Sequence, residues 1–231
     1  MDYYKPTPRI LGAAFIIVAI TDLIGGLLIG SLGYAIVGPP ENISDMMINV
    51  SKNPSTMLMS IVILLIEAIF IVLLAVCLYT ALKSQNKIIS RLAFGLWIIE
   101  AASLAISRMS AFSLLRVSQE YVAAGSPDSS YFQVLGNVFY GSTQFGYGVL
   151  LMTFFSLGGL LFYYLFLKSK YVPKVFPIWG IIATALSLVG TLFVLFEYNV
   201  PLYVFLPILP LEILFGIWLM VKGFKTQETK N

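Results

Sequence analysis

The stretch from Thr56 to Leu82, TMLMSIVILLIEAIFIVLLAVCLYTAL, decides the fold. It carries one charged side chain, Glu67, in a run long enough to cross a bilayer as a helix. Five further runs reach the roughly 20 apolar residues that a spanning helix needs, at about 10–37, 88–115, 147–167, 175–196 and 202–221. The composition agrees, since 59% of the 231 residues are hydrophobic, only 11% are charged and the mean hydropathy is +0.91, outside the range of soluble domains. The sequence therefore predicts an all-α fold: one integral membrane domain over 1–231, a bundle of six transmembrane helices with the lipid bilayer as its first partner. The first run follows Lys5 and Arg9, but it is too long for a signal segment and is expected to be a retained span.

Charge sets the expected orientation. Lys5, Arg9, Lys83, Lys87 and Arg91 fall on one side of the alternating spans, together with Lys168, Lys170, Lys174, Lys222, Lys225 and Lys230. The opposite loops hold only Lys52 and Arg116, among Glu41, Asp45, Glu120, Asp128 and Glu197. The positive-inside rule then puts both termini in the cytoplasm. The formal charge of +3 forms no continuous basic patch, so nucleic acid is not an expected partner. Trp97, Trp179 and Trp218 lie in the cytoplasmic halves of their spans with Tyr163 and Tyr164, and read as interfacial anchors. The segment 118–148 is semi-polar. Gln133, Asn137, Ser142, Thr143 and Gln144 alternate there with Phe132, Leu135, Phe139 and Phe145, fitting an interfacial helix, a re-entrant element or an outward extension of the fourth span. The extension is the favoured reading, preceded by a turn at Gly125-Ser126-Pro127-Asp128.

Several stretches together resemble a known family. They are Arg9-Ile10-Leu11-Gly12, the loop from Ser118 through Ala124-Gly125-Ser126-Pro127-Asp128 to Gln133 and Leu135-Gly136, and Phe155-Ser156-Leu157-Gly158 with Phe162-Tyr163-Tyr164. Val172-Pro173 with Trp179-Gly180, and the ending Trp218 to Phe224, complete the set. The chain is similar over nearly its whole length to domain-of-unknown-function family 4386, a group of prokaryotic integral membrane proteins without an established activity. The resemblance implies the plasma membrane of a prokaryote as location and supplies no mechanism. The sequence departs from the family pattern at Trp97, where an arginine precedes the third-span glutamate, and at Thr143-Gln144, where an Arg-Asp pair stands. Arg108 is the candidate replacement for the missing positive charge.

Four acids, Asp22, Glu67, Glu100 and Glu212, lie inside apolar runs. A carboxylate at the bilayer centre costs roughly 3 kcal/mol on insertion scales, so each is expected to face a partner, a cavity or the bundle interior. On the third span, Glu100, Ser103, Ser107 and Ser110 share one helical face with Arg108 at its edge, which fits either a hydrated ion or ligand cavity or close helix packing. Glu67, with Ser60 on the same face, fits a proton relay or a neutral structural hydrogen bond equally. Asp22 is a secondary candidate, because it precedes Gly26 and Gly30, whose GxxxG spacing is a helix-packing signal and a route to a homo-oligomer. In the sixth span Pro201, Pro207 and Pro210 precede Glu212, predicting a kink or break that would free carbonyls beside a carboxyl.

The absence of histidine removes histidine-dependent hydrolysis, zinc-histidine chemistry and a histidine proton shuttle. Cys77 has no cysteine partner, and no metal or cofactor is expected. Three readings remain. The chain is a small proton- or cation-linked transporter or ligand-binding membrane protein using Glu67, Glu100, Arg108, Glu212, Ser103 and Ser107. Alternatively it is a packing or interaction module in which the acids are satisfied links. An intramembrane carboxylate-dependent enzyme is the third reading and the weakest, because no nucleophile-base pair can be read.

Overall fold

The computed structural model describes residues 8–34, 40, 42–128 and 130–224. Eight α-helices occur among them: α1 (Pro8–Gly30), α2 (Ile43–Lys52), α3 (Pro54–Leu82), α4 (Lys87–Ala123), α5 (Tyr131–Gln144), α6 (Met152–Ser169), α7 (Val175–Leu195) and α8 (Ile208–Lys222). A π-helical segment, Phe145–Leu151, fuses α5 to α6, so that 131–169 is one unbroken helical path. Six helical stretches are long and apolar enough to cross a membrane, and the described residues contain no strand. The fold is therefore that of an all-helical, multi-pass membrane protein. Span by span, α1 contacts α3, α3 contacts α4, α4 contacts α6, α6 contacts α7, α7 contacts α8 and α8 returns to α1. The spans form a closed ring, with a further contact between α3 and α6 across it.

Local sequence explains where the helices begin. Asn86 and Asn42 accept from the next turn's N–H groups, Asn86 from Ile88 and Ile89 at 3.0 Å each, so α4 and α2 start at side-chain caps. Pro54 opens α3 at a position where no N–H is needed. The turn after α4 places Gly125 at φ +83° and Ser126 at φ 54°, and α5 begins where Gln133 reaches back to accept from the Ser130 N–H at 3.2 Å.

Two apolar cores follow from the lengths. At about 1.5 Å per residue α4 is roughly 55 Å long, far more than a hydrocarbon layer of about 30 Å. Its C-terminal part packs with α2, α5 and the start of α3 in a separate cluster built on Met46, Met47, Val50, Met57, Leu114, Leu115 and Tyr121. The short α2, which falls between two predicted spans, seals this cap: Met47 is fully buried, and its sulfur lies where a Cβ on Gly136 would be, 2.5 Å away. Gln133 ties the cap together by donating to Ser44 Oγ at 2.5 Å and to the Tyr121 hydroxyl at 3.3 Å.

Within the ring, backbones approach where side chains vanish. A Cβ on Gly12 would sit 2.4 Å from the Gly216 carbonyl oxygen, and one on Gly216 would sit 2.8 Å from that of Gly12, so α1 and α8 touch main chain to main chain. Gly26 and Gly30, the pair that reads as a packing motif, have nothing within 4 Å of an added Cβ. Among the described residues the pair packs against nothing. Trp97 and Tyr163 also depart from the interfacial role expected of them. Trp97 is 3% exposed, donates its indole N–H to the Phe155 carbonyl at 3.1 Å, and occupies the space left by Gly158, while Tyr163 is buried over Gly180. Each large ring faces a glycine, which draws it inward.

Candidate functional site

The ring brings the intramembrane charges together. Counted from the basic helix ends, Glu212 lies about 15 Å in, Glu100 about 20 Å, and Asp22 and Glu67 about 21–23 Å, all inside a hydrocarbon layer of about 30 Å. Glu67 and Glu100 are each 4% exposed and Glu212 6%, so all three point into protein and away from lipid. Glu67 lies within electrostatic range of Asp22, Glu100, Glu212 and Arg108, and Glu100 within range of Glu212 and Asp22. Four carboxyls from α1, α3, α4 and α8 thus share one interior with Arg108, the single buried cation among the described residues.

They are not equally provided for. Asp22, partly buried, accepts a short hydrogen bond from the Tyr147 hydroxyl. The Arg108 guanidinium lies 5.2 Å from the centre of the Tyr147 ring and donates to Ser107 Oγ from Nε at 3.1 Å and from Nη2 at 2.9 Å. Ser107 in turn donates to the Leu104 carbonyl at 2.7 Å. Asp22, Tyr147, Arg108 and Ser107 therefore form one connected polar knot between α1, α4 and the π segment. By contrast, Glu67 Oε2 and Glu100 Oε2 are buried with no hydrogen-bond partner. Nearly all buried polar atoms in proteins are partnered, so two such oxygens in neighbouring helices need explanation.

The third-span serines divide from the glutamate with which they share a helical face. Ser103 donates to the Ile99 carbonyl at 2.8 Å, and Ser103, Ser107 and Ser110 line a groove against α5 and the π segment, whereas Glu100 is not among its lining residues. The proline-rich entry to the sixth span is also resolved differently. A single 3-10 turn at Leu202–Val204 precedes α8, and Pro207 stands at the N-cap with Pro210 in the first helical turn. Both prolines occupy positions whose N–H groups have no intrahelical acceptor, so neither frees an interior carbonyl. The sixth span is broken ahead of its helix, and Glu212 sits in the continuous part, near Tyr163 and Asp22.

Sequence reading missed Tyr147. A phenol flanked by Gly146 and Gly148 inside an apolar run was the available signal, and the π geometry around it is the kind of helix irregularity that gathers at functional positions. Among the described residues no three acidic or cysteine side chains are close enough together to hold a metal ion.

Fold and interior together define a multi-pass helical membrane protein with carboxyls gathered at mid-layer. More specifically, residues 10–223 match the family model described as "Domain of unknown function (DUF4386)", and the chain belongs to that family. No curated protein and no solved structure matches it.

Proposed function

We propose that this protein is a small proton-linked transporter of a prokaryotic plasma membrane, with both termini cytoplasmic, in which Glu67, Glu100 and Glu212 carry the coupling protons. The observation behind this reading is the pair of buried oxygens, Glu67 Oε2 and Glu100 Oε2, that lack a partner. Four ionised carboxylates facing one guanidinium would leave a large uncompensated charge in a low-dielectric interior, and binding protons relieves it. Protons suit the site better than a dehydrated metal cation, because the acids are spread over four helices and no three of them converge. Arg108 and the Asp22–Tyr147 bond serve as the fixed positive end of the array, and Ser103 and Ser107 serve α4 as a helix face.

The test is reconstitution into vesicles with a trapped pH dye, combined with labelling by a hydrophobic carbodiimide, which modifies protonated carboxyls in apolar surroundings. Labelling mapped to Glu67 and Glu100 and falling with rising pH, with a potential-driven proton flux lost in Glu100→Gln, is the expected result. Vesicles indistinguishable from protein-free ones, with both glutamates unlabelled at every pH, would discard the transporter.

A second reading has its own support. The members of the polar knot bond to one another, as a packing device would, and Gly26 and Gly30 meet nothing among the described residues. In that case the protein is an interaction module that pairs with a second copy through α1, and cysteines placed on the Gly26 face would cross-link while vesicle flux stays absent.

A further inference from the structure

A groove of about 510 Å³ runs between α4 and the α5–π path, within the size range of small-molecule sites. It is separate from the acids, and its lining changes character along its length. Gly146 fixes the register, since its added Cβ would lie 2.7 Å from Ser107 Cβ, so antiparallel helices set Leu150 beside Ser103 and Ser142 beside Ser110. The end nearer mid-layer is walled by Ile106, Phe145 and Leu150. There the two serine hydroxyls are turned to their own helix, Ser103 on Ile99 and Ser107 on Leu104. The other end presents Ser110, Ser142 and Asn137 with one apolar neighbour, Val138, and Ser142, Asn137 and Val138 are exposed.

Depth gives this gradient its meaning. Ser107 lies about 30 Å along α4 from Lys87, which is the thickness of a hydrocarbon layer. Leu150, level with Ser103, therefore stands in the acyl region of the leaflet opposite the lysine-rich helix ends, Ile106 and Phe145 stand at its outer edge, and the serine and asparagine groups stand at headgroup level and beyond. The groove has the polarity profile of one lipid. No charged side chain lines it, so nothing there complements a phosphate or an ammonium, whereas hydroxyl and amide groups exchange hydrogen bonds with hydroxyls and esters.

We propose that this groove is a binding site for a neutral, hydroxyl-bearing lipid, whose head is held by Asn137, Ser142 and Ser110 and whose acyl chain lies on Ile106, Phe145 and Leu150. Behind the chain, Ser107 belongs both to the groove floor and to the polar knot, accepting from Arg108, so an occupant touches the knot at that serine. The site does not depend on proton coupling.

Gly141 supplies the test, because it lines the groove, is exposed, and meets nothing within 4 Å of an added Cβ. Gly141→Trp fills the groove without disturbing the fold. Gly95, which also has nothing within 4 Å of an added Cβ, supplies the matched control, Gly95→Trp. The whole protein is placed in phosphatidylcholine nanodiscs with a trace of diacylglycerol carrying a photoactivatable acyl chain, and labelled peptides are mapped. Saturable labelling of Ile106, Phe145 and Leu150 is expected. It should be displaced by unlabelled diacylglycerol and not by phosphatidylglycerol, lost in Gly141→Trp and retained in Gly95→Trp. Labelling spread over all lipid-facing helices, equal displacement by the anionic lipid, or persistence in Gly141→Trp would overturn the proposal. So would cross-linking between the α5 helices of two copies in place of lipid labelling.

Discussion

Arg108 and Glu100 lie two turns apart on the same helix and have been treated in opposite ways. Around Arg108 four side chains hold one another, the guanidinium holding Ser107 and covering Tyr147 while Tyr147 holds Asp22, although the Tyr34 hydroxyl within its electrostatic range lacks a hydrogen-bond partner. Around Glu100 the neighbours are further acids, and its Oε2 and that of Glu67 are left without a partner. Satisfied buried networks rigidify a fold, whereas unsatisfied ones reserve a place for something that comes and goes. The difference teaches that burial alone does not distinguish a structural charge from a working one; the state of the partners does.

The contrast can be broken most forcefully at its satisfied end. Arg108→Met keeps the apolar stem but strands Asp22 and Tyr147, and removal of one member of a buried charge network costs about 3–5 kcal/mol. Unfolding of the purified protein in mixed micelles should register that loss. A variant as stable as the parent would show that the knot holds nothing together. Gly12→Val calibrates the scale with an apolar packing defect. Its Cβ meets the Gly216 backbone, which cannot swing aside, so a loss of about 1–3 kcal/mol is expected, against a change within about 0.5 kcal/mol for Gly26→Val.

Tyr147→Phe probes one bond of the knot. The ring and its contact with Arg108 stay, the hydroxyl goes, and a buried hydrogen bond to a charged group is worth about 1.5–3 kcal/mol. The same measurement in an Asp22→Asn background should show a clearly smaller loss, and full additivity would mean that the two side chains do not act together. The smallest effect belongs to the other region. Glu67→Gln and Glu100→Gln replace carboxyls that each leave one buried oxygen without a hydrogen-bond partner, so stability should hold within about 1 kcal/mol or rise, while carbodiimide labelling and proton flux disappear. A drop as large as that of Arg108→Met would place the glutamates among the structural groups and erase the contrast.

Much of the fold was legible in the chain because the bilayer makes two simple demands, length and apolarity, that six stretches meet on their face. The acids were legible as interior groups for the same reason, since lipid will not accept them. Other features depended on which helix lies beside which. The third-span serines looked continuous with Glu100 on a helical projection, but α5 and the π segment pack against that face and turn the serines into a groove wall. Trp97 reads as an anchor until Gly158 of another span is placed opposite it. Pro207 and Pro210 threatened to free carbonyls, and a helix start one residue after Pro207 removed the threat.

Membrane crossing, helical class and the interior placement of Glu67, Glu100 and Glu212 were thus determined by sequence alone, because each follows from the transfer free energy of single segments and side chains. The closure of six spans into a ring, the use of Gly12 and Gly216 in place of Gly26 and Gly30, and the pairing of Asp22 with Tyr147 were decided by tertiary structure. Each of these depends on distances between residues far apart in the chain, on which local periodicity and hydropathy are silent. The same physics separates the two halves of the site: solvation drives every charge inward, and only packing determines which of them find a partner there.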